Sequence, residues 1–126
     1  MKTIDLIIEK ADNRLWGRVE YNDNLISEQA ESIDDLEKKM KTLLWDFENV
    51  QPELVEFNHL YDIYSLFQQF DYLNIRKVAI QAGMNPSLLR QYSAGVKNPS
   101  ADQAKKIEET LHRLAKELKD VSVFIG

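Results

Sequence analysis

Ser87, Arg90 and Gln91 fall within one short helical run, and each carries a side chain able to read the edge of a base. Guanidinium and carboxamide groups bond in pairs to guanine or adenine in the major groove of duplex DNA, so Arg90 and Gln91 have the most specific chemistry. Lys97 and Asn98 follow across a glycine, while Arg76 and Lys77 precede the run. These are groups suited to phosphate, whose contacts position a protein on DNA without specifying sequence. Within residues 73–106 the bases Arg76, Lys77, Arg90, Lys97, Lys105 and Lys106 stand against Asp102 alone. That concentration of positive charge is what a phosphate backbone requires.

Catalytic chemistry finds less support. Two-metal phosphodiester cleavage needs carboxylates converging on one point. Asp5 and Glu9 share a strand face but lie about two pleats apart, and Glu20 is the one comparable group on the next strand. The chain has no Cys and two His, His59 and His112, without His-x-x-x-His spacing. No metal site and no cofactor is therefore expected.

The elements that position the seven candidates are marked by local signals. Asn74 is placed to cap a helix whose inward stripe is Val78, Ala79 and Ala82, and Gly83 stands where that helix must end. Asn85 and Pro86 open a second helix, with Leu89 and Tyr92 facing inward and Ser87, Arg90 and Gln91 outward. The landmarks Ala79, Gly83-Met84-Asn85 and Gly95-Val96-Lys97-Asn98-Pro99-Ser100 resemble the helix-turn-helix of the Cro/C1 repressor class, over roughly residues 61–118. The resemblance implies that helix 86–93 enters the major groove and helix 75–82 lies across the backbone. It also implies base reading by Ser87 and Gln91, with Arg90 beside them, and a phosphate grip by Lys97 and Asn98 that Arg76 or Lys77 can share. Two positions depart from the pattern: Ile75 replaces a common Gln, and Leu88 occupies a place more often polar.

The first half reads differently. Ile4, Leu6 and Ile8 alternate with polar residues as a half-buried strand, and Asp12-Asn13-Arg14 makes a turn. Leu15–Tyr21 forms a second strand, Asn22-Asp23-Asn24 turns again, and Leu25–Ala30 forms a third. Ser32 caps a helix with Asp34 and Asp35 in its first turn and Leu36, Met40, Leu43, Leu44 and Phe47 inward. After Pro52, Leu54, Val55 and Phe57 indicate a fourth strand. The order β-β-β-α-β, with TIDLIIEK, RLWGRVEY and LISEQAESIDDLEKKMKTLLWDF, resembles the HicB-type antitoxin domain, a partial relative of the RNase H fold. The Pro and Gly usual between the second and third strands of that family are absent. The resemblance implies that this half blocks a small basic RNA-cleaving toxin of the HicA type, while the other half represses the chain's own promoter.

The expected fold is thus α+β: a small β-β-β-α-β domain over residues 1–59, then an all-α helix-turn-helix domain over 60–126 with a C-terminal tail. The aromatic-rich stretch 58–72 is expected to supply the first helix of the second domain, with Leu60, Tyr64 and Phe67 on one stripe. Residues 101–118 read as an amphipathic helix with Ala104, Ile107, Leu111, Leu114 and Leu118 inward. The final VSVFIG is apolar and β-prone, with no evident partner.

The net charge of −5 divides unevenly: residues 1–60 hold seven Lys/Arg against fourteen Asp/Glu, and residues 61–126 nine against seven. Acidity in the first half suits a basic protein partner. No apolar run approaches the roughly 18 residues of a membrane span. With no signal-peptide pattern in MKTIDLIIEK, a cytoplasmic protein is expected. Two-fold reading of palindromic DNA makes a homodimer the expectation. Two other functions remain open: a stand-alone transcriptional regulator whose first domain serves dimerisation or ligand sensing, and, from a different class, a nuclease.

Overall fold

A computed structural model describes residues 1–126. The chain is α+β, with a four-stranded mixed sheet and five α-helices. It divides into two compact units, Met1–Gln69 and Phe70–Gly126.

The first unit begins with strands β1 (Lys2–Ala11), β2 (Arg14–Tyr21) and β3 (Asn24–Ala30), paired antiparallel in sequence. Ala11 faces Arg14 and Tyr21 faces Asn24, so each hairpin loop has two residues. Asp12, Asn13, Asn22 and Asp23 in those loops all have positive φ, between 51 and 63°. Such turns match the right-handed twist of the strands, and Asn and Asp tolerate the left-handed conformation they demand. Helix α1 (Ile33–Glu48) then crosses the sheet, and a 3₁₀ turn over Pro52–Leu54 leads into β4 (Val55–Tyr61). Strand β4 runs parallel to β1, with Ile4 opposite Phe57 and Leu6 opposite His59, giving the order β3-β2-β1-β4.

Ser32 Oγ accepts a 3.1 Å hydrogen bond from the Asp35 backbone N–H, and Asn49, left-handed at φ 58°, closes the other end of α1. Leu36, Met40 and Leu44 are buried in a core shared with Ile4, Leu6, Ile8, Leu15, Val19 and Val55. Gly17 permits this approach, because a Cβ there would lie 2.9 Å from Leu36 Cδ2. Leu36 is itself fully buried and has little room to yield. Gly17→Ala is expected to cost about 1–3 kcal/mol, the usual effect of overpacking, read as a lower urea midpoint with an unchanged slope.

Three expectations are corrected here. Phe47 lies on the inward stripe of α1 yet is 74% exposed. The last turn of that helix reaches the β2–β3 turn, where Asn24 Nδ2 donates to Glu48 at 2.7 Å, and the sheet has run out beneath it. Leu60 and Tyr64 do not join Phe67 on a helical stripe: Leu60 belongs to β4, and Tyr64 is 41% exposed. The helix that follows, α2 (Ile63–Gln69), packs on β1 and belongs to the first unit. Asp62 Oδ1 accepts from the Ser65 backbone N–H at 2.6 Å, starting that helix directly after the strand. Buried Ser65 Oγ accepts from the Lys10 backbone N–H at 3.0 Å, beyond the point where β4 stops pairing with β1.

Helix α1 covers one face of the sheet. On the other, alternate positions bring Asp5, Ile7 and Glu9 beside Trp16, Arg18, Leu25 and Leu60. Trp16, Leu25 and Leu60 are all substantially exposed there. Along β4, His59 Nε2 meets the Glu37 carboxylate. Burial, and secondarily the Glu37 charge, push the Tyr61 hydroxyl above its ordinary pKa.

The second unit contains α3 (Ile75–Ala82), α4 (Pro86–Ser93) and α5 (Ala101–Lys119). Its core comprises Val78, Ala79, Ala82, Met84, Leu89, Tyr92 and Ile107, with Ala79, Leu89 and Ile107 wholly enclosed. In α5 the expected inward stripe is buried only at Ile107; Ala104, Leu111 and Leu114 are half-buried, and Leu118 is 72% exposed. The helix outruns the short α3 it packs against.

Candidate nucleic-acid interface

The turn between α3 and α4 is held by backbone geometry. Asn74 Oδ1 accepts from the Lys77 N–H at 2.9 Å, fixing the start of α3. Gly83 at φ 69° ends it: its N–H donates to Ile80 C=O at 3.1 Å, and the Met84 N–H donates to Ala79 C=O at 2.9 Å. These bonds satisfy carbonyls that the end of a helix leaves open. Asn85 Oδ1 then accepts from the Ser87 N–H at 2.8 Å, and Pro86 takes the first helical position. Ala79 has no exposed surface, and a larger side chain there would separate the helices.

With Leu89 and Tyr92 buried, the opposite stripe of α4 presents Ser87, Arg90 and Gln91, all exposed. Their i, i+3, i+4 spacing stacks them on one side of the helix. The loop beyond folds back onto the helix end. Gly95, at φ 77°, allows the Val96 and Lys97 N–H groups to donate to Gln91 C=O at 3.0 and 3.3 Å. Lys97 is thereby tied at its backbone to a residue of that exposed stripe, and its side chain is exposed together with Asn98. Ser100 Oγ accepts from the Gln103 N–H at 3.2 Å and starts α5. Arg76 and Lys77 are exposed in the first turn of α3, at the opposite end of that helix from Gly83.

What marks this surface is the local charge balance over residues 73–106, where Arg76, Lys77, Arg90, Lys97, Lys105 and Lys106 stand against Asp102 alone. The four ion pairs of the structure use Arg14, Arg18, His59 and Arg113. Arg76, Lys77, Arg90 and Lys97 have no carboxylate within 4.0 Å, and neither do the exposed Lys105 and Lys106 of α5. These cations keep their charge available to an outside partner.

One residue assigned no part in the sequence reading has a supporting role. Arg113 of α5 donates to both the backbone carbonyl and Oε1 of Gln81, at 3.1 Å each, and to Glu117 at 3.2 Å. It closes the last turn of α3 from 32 positions away, a separation at which local pattern carries no signal. Ile75 and Leu88, the two departures from the repressor pattern, are both half-buried. Their side chains are partly taken up by packing.

Elsewhere, Asp5 accepts from Asn58 Nδ2 at 3.1 Å and Glu9 pairs with Arg18. No three His, Asp or Glu side chains stand close enough to hold a metal ion. Comparison with known proteins finds no family model, no curated protein and no solved structure that matches this chain.

Proposed function

We propose that this chain is a sequence-specific DNA-binding repressor that also acts as an antitoxin, and that it is a binding protein, not an enzyme. In this reading the second unit is an all-α helix-turn-helix domain with α4 in the major groove. Ser87, Arg90 and Gln91 contact bases, while Lys97, Asn98, Arg76 and Lys77 contact phosphate. The observation that carries it is the exposed Ser87–Arg90–Gln91 stripe on a helix capped at both ends, flanked by cations without carboxylate partners.

The first unit, in the same reading, is a HicB-like, partial RNase H-like domain that neutralises a small basic RNA-cleaving toxin. Its excess of carboxylates favours encounter with a basic partner. The sheet face carrying Trp16, Leu25 and Leu60 offers apolar contact to such a partner. The protein would act in the cytoplasm, as a homodimer on operator DNA. A stand-alone regulator, with the first unit serving dimerisation or ligand sensing, is the second reading. Co-expression with the product of the adjacent gene separates the two: a stable complex with a short basic protein supports the antitoxin, and no complex supports the regulator.

For the DNA half, Lys97→Ala is expected to weaken binding to all duplexes alike. The slope of log K against log salt should become shallower by about one, as one phosphate contact is lost. A loss confined to one sequence, with the slope unchanged, would remove Lys97 from the phosphate-binding set.

A further inference from the structure

We infer that the C-terminal half of α5 and the segment Val121–Gly126 form the seam through which two copies of this chain associate. Two observations lead there. Helix α5 buries Ile107 and Thr110, but Leu111 and Leu114 are only half-covered and Leu118 is 72% exposed. Those three leucines lie on one helical stripe that continues past the body of the unit. Directly after it, Val121, Val123, Phe124 and Ile125 are 61, 91, 86 and 108% exposed. Such a contiguous run of apolar side chains differs from the scattered apolar residues that any surface carries.

The segment is also unpaired in its backbone. Only its first N–H, that of Val121, is bonded, to Leu118 C=O at 3.2 Å. It contains no charge and no proline, the two devices that protect exposed strands from pairing.

A second copy is the occupant that the pattern fits. In an antiparallel pair with its two-fold axis at Val123, Val121 faces Ile125 of the other copy and Val123 faces itself. Three β-branched pairs then line one side of the ribbon, the most favourable kind of cross-strand contact. A two-stranded ribbon alone is marginal, so the Leu111–Leu114–Leu118 stripes supply the apolar surface against which it packs. Phe124 falls on the other side of the ribbon, opposite Ser122 of the second copy, and alone offers roughly 150–250 Å². The absence of charge in VSVFIG suits a copy of itself better than a basic or acidic partner.

This inference stands apart from the DNA reading and locates the dimer which that reading needs. Sedimentation of the full chain at micromolar concentration should give twice the 14.7 kDa monomer mass. Deletion of residues 121–126, or Phe124→Asp, should give the monomer mass with the helical circular dichroism retained. Because the chain has no native cysteine, Val123→Cys should form a disulfide-linked dimer quantitatively under mild oxidation. A monomeric wild type, or a dimer that survives both changes, overturns the proposal. A dimer lost on truncation, with no DNA bound by either form, would leave the seam intact and refute only the DNA reading.

Discussion

Replacing Arg90 and Gln91 together by Ala is expected to abolish discrimination among DNA sequences while leaving weak, salt-sensitive binding to any duplex. Each side chain sits on the exposed stripe of α4, and neither takes part in an ion pair or a side-chain hydrogen bond within the fold. Their removal therefore leaves the caps at Asn85 and Ala94 and the buried Leu89 and Tyr92 as they are. A bidentate contact to a base edge is worth about 1–3 kcal/mol of discrimination, so the pair should account for roughly thirtyfold to ten-thousandfold in preference for a selected site. The Gln91 carbonyl that anchors Val96 and Lys97 is a backbone group and survives the substitution. The phosphate grip of Lys97 should persist, and with it the nonspecific affinity. Competition titration with a selected site and an unrelated duplex measures both quantities. Unchanged preference in the double variant would mean that α4 is not the reading helix.

Leu89→Ala is the second large effect, and its origin is packing, not contact with a ligand. Leu89 is completely enclosed, on a helix that packs against α3. Truncating such a leucine costs about 2–5 kcal/mol, from lost transfer energy and the cavity left behind. A unit the size of Phe70–Gly126 has little stability to spare, since small domains bury a low fraction of their surface. Hydrogen exchange on the full chain should show protection lost across α3, α4 and α5. The strands β1 to β4 draw on a separate core around Leu6, Ile8, Leu36 and Met40, and should keep theirs. DNA binding should vanish for every sequence, unlike the selective loss in the Arg90/Gln91 double variant. Protection lost equally in the sheet would show that the two cores unfold as one.

What could be read from sequence in this chain follows the range of the interaction responsible. Asn74, Gly83, Asn85 and Pro86 act within four residues of themselves, and the caps and turn they signal are those observed. The same holds for Ser32, and for the turns at Asp12-Asn13-Arg14 and Asn22-Asp23-Asn24, although Arg14 and Asn24 already belong to the following strands. Outward placement of Ser87, Arg90 and Gln91 followed from the burial of Leu89 and Tyr92 at helical spacing. Long-range choices were not legible. The parallel pairing of β1 with β4 joins positions more than fifty residues apart, and the Gly17–Leu36 and Gln81–Arg113 contacts are likewise nonlocal. The segment Leu60–Phe67 held both a strand end and a helix start, and aromatic residues are at home in either. Periodicity placed Phe47 and Leu118 on apolar faces without telling whether anything lies opposite them. At Phe47 the sheet ends; at Leu118 the helix outruns α3.

Base reading by α4 is tested most directly by selection from a pool of random duplex DNA. Full-length protein should enrich a palindrome whose half-sites are centred about 10–10.5 base pairs apart, or a multiple of that spacing, as two recognition helices on one face of the duplex require. The Arg90→Ala/Gln91→Ala variant, carried through the same rounds, should enrich nothing. No enriched sequence for the wild type, or the same sequence for both proteins, would contradict the assignment.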